Sequence, residues 1–145
     1  MIPNFDVRGL LPEGVHHATW EELKVRFGGN ERREELLNKL YEALTLLQSA
    51  GCRRVYIDGS FVTAKQMPND IDVCWDINGV DADALDAVFF DFDDGRAAQK
   101  ARFGAEFFPA DVPEGISGKT FLEFFQVDKE TGAAKGIIEL ILDDG

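Results

Sequence analysis

Two short strand-like runs bracket a glycine-serine pair. Arg54-Val55-Tyr56-Ile57 comes first, Gly59-Ser60 follows, and a second run extends from Asp70 to Ile77, opening Asp70-Ile71-Asp72. Runs this short and this rich in β-branched and aromatic residues read as strands, and the glycine and polar residues between them keep them separate. That pair commits the chain to a sheet. What covers the sheet is legible upstream, where Asn30 caps a helix whose Leu36, Leu37, Leu40, Leu44 and Leu47 recur at helical spacing until Gly51. An apolar stripe of that kind lies on a sheet as core.

The rest of the chain completes a single domain, residues 1–145, of α/β (α+β) class: a short mixed β-sheet flanked by helices. Residues 1–18, with Pro3, Gly9, Pro12 and Gly14, read as an irregular N-terminal arm. Thr19-Trp20-Glu21-Glu22 is a capping box that starts a short helix, which Gly28-Gly29 stops. A helix is expected from about Ala82 into Arg102, loosened around Asp91–Gly95. Ala105-Glu106-Phe107-Phe108 reads as a strand closed by Pro109. Thr120 to Gln126 reads equally as a short helix or a strand, and GIIELIL as a strand or the start of a helix. Phe121, Phe124 and Phe125, like Trp20 and Trp75, are expected in the core. Cys52 and Cys74 match no zinc spacing and are expected as reduced core thiols.

Charge narrows the function classes. Twenty-seven acids against fifteen bases give a formal charge of -12, and such a surface repels phosphate backbones, so direct nucleic-acid binding is not expected. A basic partner protein, or a nucleotide carried in with divalent cations, fits that field. From Gln66 through Gly95 there is no Lys or Arg but nine Asp. Those between 81 and 94 read as a solvated helix face. The opening MIPNFDVRGL lacks a signal-peptide pattern, and no apolar run approaches the roughly 20 residues that span a bilayer. A cytoplasmic protein with no membrane partner is the expectation.

Asp70 and Asp72 need another account. Residues i and i+2 of a strand face the same side, so both carboxylates share a face while Ile71 takes the other. Oxygen ligands so placed suit Mg²⁺ (or Mn²⁺), which is bound by carboxylates together with substrate phosphate. Gly59 lets a triphosphate approach the backbone, and Ser60 offers a hydroxyl and amides to its oxygens. Metal ligands beside a phosphate cradle form a phosphoryl- or nucleotidyl-transfer arrangement.

The pattern resembles the nucleotidyltransferase fold shared by polymerase beta-like enzymes and the small bacterial minimal nucleotidyltransferases. Their motif runs hydrophobic residue, Gly, Gly or Ser, a spacer of about nine to thirteen residues, then Asp-hydrophobic-Asp or Glu. Here Ile57-Asp58-Gly59-Ser60, the spacer 61–69 and Asp70-Ile71-Asp72 follow that wording. The longer run GCRRVYIDGSFVTAK…DIDVCWD…FLEFFQVDKETGAAKGI is also similar to an uncharacterised bacterial family of small nucleotidyltransferase-like proteins. The resemblance implies a third carboxylate from a later strand, as metal ligand and base for the acceptor. Glu106 is the leading choice, then Asp111, then Glu139. Where minimal enzymes read Gly-Ser-x-Ala-Arg-Gly, this chain has Gly59-Ser60-Phe61-Val62-Thr63-Ala64, which leaves Lys65 as the nearest cation for a nucleotide phosphate.

The resulting expectation is a Mg-dependent nucleotidyltransferase that moves a nucleoside monophosphate from a nucleoside triphosphate to a hydroxyl of a protein or small molecule. The resemblance adds a setting, a toxin–antitoxin or phage-defence pair. The alternative is a catalytically inactive nucleotidyltransferase-like binding module, of antitoxin or immunity type, that neutralises a basic partner protein. A structural adaptor without a ligand is the third reading. His16-His17 is not expected to carry chemistry, since adjacent histidines seldom converge on one ion.

Overall fold

The structure, a computed structural model, describes residues 2–142. In chain order it contains β1 (Gly14–Ala18), α1 (Trp20–Phe27), α2 (Glu31–Ser49), β2 (Arg54–Asp58), β3 (Ile71–Trp75), α3 (Asp93–Phe103), β4 (Ala105–Pro109), α4 (Phe121–Phe124) and β5 (Gly136–Ile141), with 3₁₀ turns at Ser60–Val62 and Ala87–Phe90. The five strands form one sheet in the order β1-β5-β2-β3-β4. The outer pairs β1/β5 and β3/β4 are parallel, while β5/β2 and β2/β3 are antiparallel. This is the mixed sheet with flanking helices that the sequence predicts. Among the described residues, no helix is long and apolar enough to cross a membrane.

Local signals set the helices. Thr19 and Glu22 exchange both capping-box hydrogen bonds at the start of α1, and the Asn30 side chain accepts from the Arg33 amide at the start of α2. The leucines of α2 are buried in one cluster with Val55, Ile57, Val73, Phe107 and Ile138. The last four are cross-strand neighbours or alternate positions of β2, β3, β4 and β5, so one sheet face is apolar throughout. On the opposite face a smaller cluster gathers Cys74, Phe108, Ala110 and Phe125, with Tyr56, Phe121 and Phe124 packed against it. Both cysteines are free and buried, and burial holds both thiols above their ordinary pKa.

Three expectations are corrected. The N-terminal arm is irregular only as far as Glu13, because residues 14–18 form β1, whose partner β5 lies at the far end of the sequence and leaves no local trace. β3 begins at Ile71 and ends at Trp75, so Asp70 stands just before the strand. The long helix from Ala82 is absent up to Asp93. Side chains of Asp81, Asp86 and Asp91 each accept from the backbone N–H two residues on, which favours turns over helix. Asp94, Gly95 and Arg96 then adopt left-handed backbone with φ of 52°, 64° and 64° before regular helix resumes, a conformation that costs non-glycine residues roughly 1–2 kcal/mol each. The acidic stretch is thus a series of turns and not a helix face.

The outer edge of β4 is closed by α3. Gln99 accepts from the Phe107 amide at 2.8 Å, and Arg96 Nε donates to the Phe107 carbonyl at 3.1 Å. The Gln99 amide, fully buried, also donates to the carbonyls of Val88 and Phe89, so no polar atom of that side chain is left unsatisfied.

Candidate functional site

The site is built where β2 ends and β3 begins. Gly59 has φ of +90°, and a Cβ there would lie 3.0 Å from the Asp72 nitrogen and 3.1 Å from the Asp70 carbonyl oxygen. Only glycine permits that backbone-to-backbone contact. Ser60 then locks onto Asp70: its amide and its hydroxyl donate to Asp70 Oδ1 at 3.0 and 2.6 Å, and its Oγ accepts from the Asn69 amide at 3.0 Å. From behind, the buried Arg33 guanidinium donates to the carbonyls of Phe27, Phe61, Thr63 and Lys65 at 2.5–3.0 Å. A charged donor shared among carbonyls is a strong tie, and it fixes the whole 59–65 bend to the first turn of α2.

Three carboxylates stand side by side on one sheet face. Asp58 is the cross-strand partner of Asp72, and Asp72 is the register partner of Glu106. Asp58 and Asp72 are 3% and 8% exposed. Burial pushes the Asp58 carboxyl up to about 6, against the pull of Lys135, whose ammonium lies 3.2 Å from Oδ1. Asp58 Oδ2 is buried and has no hydrogen-bond partner among the described residues. Burial raises Asp72 to about 7, reinforced by the charges of Asp70, Asp58 and Glu106 and opposed by Lys129. Glu106 Oε1 pairs with Lys100 at 3.4 Å.

Two hollows share the Ser60–Asp70 pair as a common wall. One, of about 270 Å³, is lined by Asp58, Gly59, Asp72, Lys129 and Lys135 and bounded by Phe124 and Phe125. The other, of about 440 Å³, is lined by Arg32, Lys39, Lys100 and Glu106. A larger depression of about 640 Å³ near Gln48, Arg53 and Gly79 has no carboxylate in its lining.

The residues singled out in the sequence separate accordingly. Asp70, Asp72, Gly59, Ser60 and Glu106 come together, although Ser60 spends its hydroxyl and amide protons on Asp70. Lys65 does not join them: it is exposed, lines neither hollow and takes part through its backbone, its carbonyl accepting from Arg33 and its amide donating to Thr63 Oγ1. The bend directs it outward because the backbone there is pulled in. Asp111 is exposed on a turn, and Glu139 pairs with His17 and with Arg54. His16 meets the Pro12 carbonyl at 2.7 Å, so both histidines have structural partners. Phe125 is core, as expected, and together with Phe124 it also walls the smaller hollow.

Sequence reasoning missed Asp58, Lys129 and Lys135. An acid at the buried end of an apolar strand, directly before the glycine, was a visible signal for Asp58. Lys135 lies 77 residues from Asp58, and nothing local reports that meeting.

The donor chemistry suits a hard cation, since every acid here offers carboxylate oxygen. The orphaned Asp58 oxygen and the raised Asp72 carboxyl mark negative charge in excess of its compensation. As the side chains stand, however, Asp70 is turned to Ser60, Asp58 to Lys135 and Glu106 to Lys100. No group of three His, Cys, Asp or Glu among the described residues is gathered tightly enough to hold an ion outright. Accepting one would require these carboxylates to exchange internal partners for it.

Neither a curated protein nor a solved structure matches this chain. One family does match, over residues 3–141, and on that near-complete coverage the chain belongs to DUF6932, a family of unknown function.

Proposed function

We propose that this protein is a divalent-cation-dependent nucleotidyltransferase that moves a nucleoside monophosphate from a nucleoside triphosphate to a hydroxyl group. The observation that carries this reading is the row Asp58–Asp72–Glu106 on neighbouring strands, with Asp70 and the Gly59–Ser60 bend at its margin. Asp70, Asp72 and Glu106 would hold Mg²⁺ or Mn²⁺, with Asp58 as a further oxygen donor. Such an ion supplies charge neutralisation and acidifies a bound hydroxyl. Lys129 and Lys135 take the phosphate-facing role once expected of Lys65. In the transfer, the acceptor oxygen bonds to the α-phosphorus, its proton passes to Glu106, and the bond to the bridging oxygen breaks to release pyrophosphate. The acceptor is a protein side chain or a small molecule, and a cytoplasmic pairing with a basic partner, as in toxin–antitoxin or phage-defence systems, fits the charge of -12.

A second reading is favoured by one observation: every carboxylate of the row except Asp72 already has an internal partner. That is what a silent binding module of the same fold would show, its acidic surface meeting a basic protein. Calorimetry separates the two. The transferase binds ATP or another triphosphate only with Mg²⁺ or Mn²⁺ and loses that binding in the Asp70→Asn, Asp72→Asn double variant. Cation-independent binding, or none for any triphosphate, leaves the binding module.

A further inference from the structure

The two hollows on either side of Ser60–Asp70 differ in charge. The smaller carries Asp58, Asp70, Asp72, Asp128 and Glu130 against Lys129 and Lys135, five acids to two bases. The larger carries Arg32, Lys39 and Lys100 against Asp70 and Glu106, three bases to two acids. Arg32 is paired with Glu35 and Lys100 with Glu106, which leaves Lys39 without a carboxylate partner among the described residues. An unpaired ammonium in a chain of formal charge -12 favours an anion. These cations come from separate elements. Arg32 and Lys39 lie two turns apart along α2, and Lys100 belongs to α3.

The wall is also shaped. Arg32 is held in place by the carbonyls of Pro68 and Asn69, at 3.1 and 3.3 Å, and by Glu35. Gly104 ends α3 in left-handed conformation. A Cβ there would lie 2.8 Å from Leu36 Cδ2 and 3.6 Å from the Lys39 stem, so the floor formed by Gly104 and Ala105 stays low beneath the lysine. A volume of about 440 Å³ suits a small molecule.

We propose that this larger hollow is the acceptor site, and that the acceptor is a small molecule bearing a phosphate monoester as well as the hydroxyl that is modified. The inference rests on the transferase reading above. Arg32, Lys39 and Lys100 take the phosphate. Glu106, on the same wall, faces the hydroxyl. The Lys100–Glu106 pair links the two events, because a phosphate that draws the Lys100 ammonium to itself frees the Glu106 carboxylate to accept the hydroxyl proton. A cationic or neutral acceptor leaves that pair closed. Nucleic acid is disfavoured by the overall charge.

The probe is glycerol 3-phosphate, titrated into the full chain and followed by the amide resonances of Lys39, Lys100 and Ala105, with glycerol, inorganic phosphate and Mg–ATP as parallel arms. Glycerol 3-phosphate is expected to shift those resonances, glycerol to leave them unmoved, and inorganic phosphate to bind several-fold more weakly. Lys39→Ala should weaken the probe at least fivefold while Mg–ATP affinity stays within twofold. The proposal is overturned if the probe leaves these resonances unmoved, or if inorganic phosphate binds as tightly as the ester. It is equally overturned if Lys39→Ala weakens Mg–ATP as much as the probe, since the cations then serve the nucleotide. Absence of Mg–ATP binding to the unmodified chain counts against the transferase reading and not against the anion site, which the probe tests on its own.

Discussion

The two faces of the sheet obey opposite rules. On one, Ile57, Val73, Phe107 and Ile138 are fully buried in one apolar cluster with the leucines of α2. On the other, displaced by a single residue along the same strands, Asp58, Asp72 and Glu106 share their surface with Cys74 and Phe108. Removing apolar surface from water drives folding, whereas burying carboxylates side by side opposes it. The first face stabilises the fold, and the second works against it.

Substitutions on the two faces should therefore change stability in opposite directions. Leu40→Ala on the covered face leaves a cavity and is expected to cost about 2–5 kcal/mol in urea unfolding. A loss below about 1 kcal/mol would show that α2 is not a principal cover of the sheet. Asp72→Asn on the open face should instead stabilise the metal-free chain at pH 7.5, by about 2 kcal/mol. The pH dependence has a definite sign. A carboxyl whose pKa is higher folded than unfolded binds more protons when folded, so stability falls as pH rises across the interval between the two values. For Asp58 and Asp72, raised from 3.8 to about 6 and about 7, that interval runs from roughly pH 4 to 7. Thermal unfolding of the metal-free protein should show the decline, and Asp72→Asn should flatten its upper part. A stability that rises through this range would contradict the burial of the pair. The smallest effect belongs to Lys65→Ala, expected within about 0.5 kcal/mol of the parent and without influence on Mg–ATP affinity. A clear loss of affinity would return Lys65 to the site.

What the sequence disclosed and what it hid follow the range of the interactions involved. The caps at Thr19 and Asn30, the leucine stripe of α2 and the Gly59–Ser60…Asp70–Asp72 spacing are fixed by residues close in the chain, and all were legible. β1 was not, because GVHHA becomes a strand only through β5. The turns of 81–91 were hidden by composition: aspartate tolerates an exposed helix face, yet here its side chains satisfy the backbone locally. Within the site, both motif ends were visible, whereas Lys135 and the cations of the larger hollow arrive from distant elements. Lys65 was misplaced for the converse reason, since proximity in sequence says nothing about which way a side chain leaves a bend held by Arg33.

The cover over β4 has a consequence for how copies of this protein meet. Phe107 has both of its outward backbone groups taken by Gln99 and Arg96, and Pro109, the next position with that orientation, has no amide proton to give. A sheet closed on one flank cannot act as a repeating unit, because endless ribbons need two open borders. With β4 covered, strand addition along that flank has no partner groups at Phe107 to meet, so an endless ribbon through it does not form.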